Sequence, residues 1–221
     1  MRFTAKLISY LFHPALVLTY MMVVLLLVNP YLFGVRDITD SAARLQLLII
    51  FMVTAFIPAF ASWMMVRLEM IDSMEMKTRQ ERIGPFLITG ILYVWMFLNF
   101  KNSSDYPDAF TAFTLGTTLS IFVAFFINLF MKVSLHATGM GGLLTMSALT
   151  MLYAGYDTFS LPAALGGGQF ATYGLVMAIV VLCGLVGTAR LYLQAHTPEE
   201  LTTGYLVGIC TQILGFIFIM G

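Results

Sequence analysis

Seven apolar runs divide the chain, at about residues 12–33, 46–66, 85–100, 110–131, 136–155, 170–190 and 200–220, and every Lys, Arg, Asp and Glu falls between them or at their ends. A helix needs about 20 apolar residues to cross the hydrocarbon layer of a bilayer. A charge at its centre is costly. The pattern predicts an all-α, polytopic transmembrane bundle of about seven spans, the third of them short at about 16 residues. Composition agrees: 60% of the 221 residues are hydrophobic, 10% are charged, and mean hydropathy is +0.91. Soluble domains are far more polar.

Lys+Arg and Asp+Glu are 11 each. A nucleic-acid partner would need a clustered basic surface, so none is expected. Cys183 and Cys210 lie within apolar runs, which argues against a disulfide framework or a zinc site. Arg2 and Lys6 precede the first run without a small-residue cleavage site after it, so that run reads as an uncleaved span. The chain reads as one membrane domain over 1–221. Leu165–Gln169, "LGGGQ", is a turn; no Gly-Lys-Ser/Thr follows it to make a phosphate loop. "MIDSMEM", Met70–Met76, reads as an interfacial helix. The small residues of the last three runs suit close helix packing in lipid.

Seven spans place the N-terminus and the loops at 67–84, 132–136 and 190–200 on one side. Eight cations gather there: Arg2, Lys6, Arg67, Lys77, Arg79, Arg82, Lys132 and Arg190. The other side has Arg36, Arg44 and Lys101. The raw count puts the first side in the cytoplasm. Without Lys77, Arg79, Arg82 and Arg190 the balance is four to three and sets no orientation.

Three polar islands share that side: "KTRQERIGP" (Lys77–Pro85), "KVSLHATG" (Lys132–Gly139) and "ARLYLQAHTPEE" (Ala189–Glu200). In the third, Thr197, Pro198 and Glu200 spell a capping box with a proline start. In the second, Ser134 is placed to cap the fifth span, whose first N–H groups make an anion site. Parity brings His136 and His196 to one face; His13 reads as an interfacial anchor. Guanidinium groups can neutralise phosphoryl oxygens. One neutral histidine, oriented by a carboxylate, can attack phosphorus. A protonated one can supply a proton to the leaving oxygen.

At these residues the chain resembles the type 2 phosphatidic acid phosphatase superfamily. That family's third motif is Ser-Arg, five residues, His, three residues, Asp; here Ala189-Arg190, five residues, His196, three residues, Glu200. Its second motif, Pro-Ser-Gly-His, corresponds to Val133-Ser134-Leu135-His136. Its first, a lysine, six residues and Arg-Pro, is matched loosely by Lys77, Arg79, Arg82 and Pro85. The departures are Glu200 for Asp, Leu135 for Gly and the altered first spacing. The resemblance runs from Lys77 to Gly208, within a phosphatase-like core of about 67–221, and leaves 1–66 as two additional spans.

The resemblance implies a membrane phosphatase acting on a lipid phosphate or diphosphate without cofactor or metal. His196 would be the nucleophile, Glu200 its orienting carboxylate and His136 the general acid. Arg190, Arg82, Arg79, Lys77 and Ser134 would bind phosphate. Polyprenyl diphosphate, phosphatidic acid, phosphatidylglycerol phosphate and lipid A phosphate all fit as substrates, in a bacterial inner membrane. Two alternatives stay open at this point: a small-anion carrier or channel, and an inactive relative that binds lipid phosphate.

Overall fold

The computed structural model describes residues 2–76, 78–154 and 157–221, and Lys77 lies outside them. Among these residues six helical segments are long and apolar enough to cross a membrane: Arg2–Val28, Ser41–Arg67, Gln80–Lys101, Asp108–Phe130, Thr172–Tyr192 and Pro198–Met220. The chain is thus an all-α, multi-pass membrane bundle. The expected fifth run is also helical. Its helix α7 (Leu135–Ala154) has 20 residues, or about 30 Å at 1.5 Å per residue.

The first segment breaks in two. A helix α1 (Arg2–Leu11) ends before His13-Pro14, a 3-10 turn follows at Pro14–Leu16, and α2 (Val17–Val28) continues. Pro14 has no N–H for the preceding turn, so the helix cannot run through it. The second segment joins α3 (Ser41–Phe51) to α4 (Ile57–Arg67) through a π turn at Met52–Phe56. Pro58 leaves the helical ladder one donor short there, and the wider winding absorbs the fault. The third span, α5 (Ile83–Lys101), reaches 19 residues. Pro85 falls in its first turn, where the missing N–H costs nothing. The long helices α6 (Asp108–Phe130), α8 (Thr172–Tyr192) and α9 (Pro198–Met220) complete the set.

Residues 70–76 are turns and bends, not the interfacial helix expected. Glu69 and Met76 both take positive φ, 58° and 46°. The N–H of Asp72 donates to Glu81 at 3.3 Å instead of to a helical carbonyl. The glycine run forms the expected turn, with φ of 100°, 65° and 105° at Gly166, Gly167 and Gly168. Only glycine reaches these angles without strain. It closes a short antiparallel hairpin of Thr158–Ser160 and Gln169–Ala171.

The first two segments are part of the core. Leu18, Met21 and Leu25 of α2, Phe110 and Phe113 of α6, Met140 and Met146 of α7, and Val186 of α8 form one buried cluster. Helix α9 packs along α7 and α6 through small residues. A Cβ on Gly208 would lie 2.1 Å from the Thr138 carbonyl oxygen, and one on Gly215 would lie 2.7 Å from that of Ala112. Backbone-to-backbone contact of this kind drives helix association where lipid is as apolar as the side chains. It also sets the start of α7 against the start of α9, which positions the site.

Candidate functional site

The α8–α9 connection is held at both ends. Helix α8 closes with the Ala195 N–H donating to the Arg190 carbonyl (3.1 Å) and the Gln194 N–H to that of Leu191 (2.9 Å). Gln194 is left-handed, φ 53°. This is the Schellman closure, with Gln where glycine is usual. Helix α9 opens with the expected capping box: Thr197 Oγ1 accepts from the Glu200 N–H (3.3 Å), and Glu200 Oε2 accepts from the Thr197 N–H (3.4 Å). His196 is the single residue between the two closures, so little freedom remains to it.

The same Glu200 Oε2 lies 2.7 Å from His196 Nδ1. His196 is buried, 8% exposed. Burial first, then the charges of Arg190, Lys132 and Arg82, push its pKa down to about 3. The ring is therefore neutral near pH 7. Its Nδ1–H donates to the carboxylate, which leaves a lone pair on Nε2. A neutral imidazole with an oriented tautomer and a spare lone pair is a nucleophile or a base.

The second island is tied to the third. The Ser134 N–H donates to the Glu200 carbonyl at 3.2 Å. Ser134 Oγ accepts from the Ala137 N–H at 3.4 Å, so Ser134 caps α7 as its position implied. Lys132 Nζ donates to the Ala195 carbonyl at 3.0 Å. The first island joins through Arg82, whose Nε donates to the Met76 carbonyl (3.1 Å) and whose Nη1 donates to that of Val133 (3.3 Å).

Arg190 is the centre of the electrostatics. His13, His136, His196 and Lys132 all feel its charge, and Arg190 itself feels that of Arg82. His136 also feels His196. His136, in the first turn of α7, and His196, just before α9, therefore share one neighbourhood with the guanidiniums, the two helix starts being joined by the Ser134–Glu200 bond. Arg190 Nε is buried without a hydrogen-bond partner among the described residues. A buried donor left unpaired is costly, and this one sits among cations rather than beside a carboxylate.

Arg79 is not brought to this neighbourhood. Its Nη1 donates to the carbonyls of Leu129 (3.0 Å) and Phe130 (2.6 Å), the last carbonyls of α6, where a cation also meets the negative end of the helix. Arg79 and Arg82 lie three positions apart. Only Gln80–Arg82 winds as a 3-10 turn, and the two side chains serve different partners.

Sequence reasoning passed over two contributors. One is Lys132, two residues before Ser134 in an island already singled out. The other is the N-terminal segment. His136 Nε2 lies 3.0 Å from the Ser9 carbonyl oxygen. A carbonyl only accepts, so Nε2 carries the proton and Nδ1 is left for a substrate. The His13 ring meets that of His136 edge-on, centroids 5.5 Å apart, while His13 Nδ1 accepts from the Ala15 N–H at 3.3 Å. Parity had put the N-terminus on the correct side, and His13-Pro14 was the available signal. Among the described residues no group of three His, Cys, Asp or Glu side chains is placed to hold a metal ion. Comparison with protein-family models, with curated proteins and with solved structures returned no match.

Proposed function

We propose that this chain is a membrane-embedded phosphatase that removes the terminal phosphate of a lipid phosphate or diphosphate, in a bacterial inner membrane, through a phosphohistidine. The observation that carries the reading is the His196–Glu200 hydrogen bond of 2.7 Å in a setting of Arg190, Arg82 and Lys132. Burial and these cations keep His196 neutral, and the carboxylate orients it. Guanidiniums offer the positive charge and planar donors that phosphoryl oxygens need.

His196 Nε2 attacks phosphorus; an N–P bond forms and the bond from phosphorus to the lipid oxygen breaks. The leaving oxygen takes a proton from His136. In its resting tautomer His136 must first gain that proton on Nδ1, and the arriving anion favours this. Water then attacks phosphorus, a P–O bond forms as the N–P bond breaks, and His136 Nδ1 takes the proton that the water gives up. Phosphate leaves, and His196 returns to its neutral form.

The test uses detergent-purified protein, short-chain phosphatidic acid and excess chelator. Phosphate release that survives chelator and disappears in His196→Ala supports the reading. Turnover that persists in His196→Ala sinks it. Lipid-phosphate binding without turnover in the unaltered protein points to an inactive binder, and anion flux in liposomes to a carrier.

A further inference from the structure

We propose that Lys132 is the third cation of the phosphate cradle, beside Arg82 and Arg190, and that this cradle fits a phosphoryl group bearing two negative charges. The inference rests on the phosphatase reading and adds to it the group that grips the phosphate.

Lys132 Nζ is 3.0 Å from the carbonyl of Ala195, the residue before His196. An ammonium has three N–H donors. One holds the nucleophile's loop, and two have no partner among the described residues. The charges of Arg82, Glu200 and Arg190 all act on Lys132. Arg82 and Lys132 both feel Glu200, Arg82 feels Glu81 as well, and Arg190 feels Arg82; Glu200 already accepts from His196 Nδ1 and the Thr197 N–H. Like charges held together in a partly buried setting repel, and an anion among them relieves the repulsion. Burial, then Arg82, lowers the lysine's pKa, with Arg190 adding to it, as expected for a cation awaiting a counter-charge.

Two further observations point to an anion. Arg190 Nε is buried without a partner among the described residues. Arg82 spends Nε and Nη1 on backbone carbonyls, so it alone cannot wrap three phosphoryl oxygens. Arg79, another cation of the first island, is committed to the end of α6.

The experiment compares Lys132→Gln, Lys132→Arg, Arg79→Gln and His196→Ala, reading turnover of short-chain phosphatidic acid and its inhibition by inorganic phosphate. Losing one charge-assisted contact should raise both KM and the phosphate inhibition constant about tenfold or more in Lys132→Gln. Lys132→Arg should restore both to within about threefold, and Arg79→Gln should leave both unchanged. A purely loop-holding lysine would lower kcat without weakening phosphate inhibition, and that result overturns the proposal. If instead His196→Ala keeps its turnover, the phosphatase reading itself fails. Should Lys132→Gln not fold, amine labelling of the unaltered protein decides. Inorganic phosphate should slow modification of Lys132 but not of Lys101; equal labelling with and without phosphate rejects the cradle.

Discussion

Oε2 of Glu200 accepts from two donors at once, His196 Nδ1 at 2.7 Å and the Thr197 N–H at 3.4 Å. One carboxylate therefore starts α9 and orients the imidazole that precedes it. The Glu200 side chain is long enough to serve both tasks because His196 lies one turn back along the same connection. The two roles can be separated by substitution.

Glu200→Gln keeps an acceptor oxygen for the capping box but removes the charge that supports His196. Its thermal midpoint should stay close to that of the unaltered protein. Its kcat should fall by about a hundredfold or more. Glu200→Ala should lose both stability and turnover. Near-normal turnover in Glu200→Gln would remove the orienting role.

Arg190 is held near Arg82 and Lys132 with its Nε unpaired. Arg190→Gln relieves that repulsion, so without phosphate it should be as thermally stable as the unaltered protein or more so, which is a common trade at functional sites. The kcat/KM should drop by about tenfold to a hundredfold. Arg190→Lys keeps the charge and loses the planar fork, so recovery should be partial. Thermal shift with and without inorganic phosphate checks both halves.

His196 has a folded pKa of about 3 against an ordinary value of 6.5. Between those values the unfolded chain binds a proton that the folded one refuses. Folding stability should therefore rise with pH across that window and level off above about pH 6.5, with a slope of at most about 1.4 kcal/mol per pH unit from this group. His196→Gln should flatten that part of the profile. Unfolding midpoints in detergent at pH 4.5, 5.5 and 7 provide the comparison, and identical slopes in both proteins count against a buried neutral ring.

A methyl group on Gly208 would meet the Thr138 carbonyl oxygen at 2.1 Å. Backbone cannot yield as a side chain tip can, so Gly208→Ala must push α9 from α7. Overpacking of this kind costs about 1–3 kcal/mol or more. Turnover should fall with stability, because Ser134 and His136 ride on one helix and Glu200 on the other. Gly184→Ala, with open space around it, should change neither. Thermal midpoints and turnover of the two variants settle the matter.

The spans were legible because hydropathy is local: each run carries its own signal, and six of the observed segments overlap the expected ones. The capping box at Thr197–Glu200 and the cap at Ser134 were legible for the same reason, since each joins residues three apart. Parity alone put the polar islands on one side. Which cations meet there was decided only by helix packing. Arg79 and Arg82 differ little in sequence, yet the end of α6 takes one and the Val133 carbonyl the other. Lys132 reaches Ala195, 63 positions away, and His136 reaches Ser9, 127 positions away. Long flexible side chains and bare carbonyls carry no periodic signature. Their partners exist only once glycine contacts have set α9 against α7 and the N-terminal segment has packed against α7 and α8.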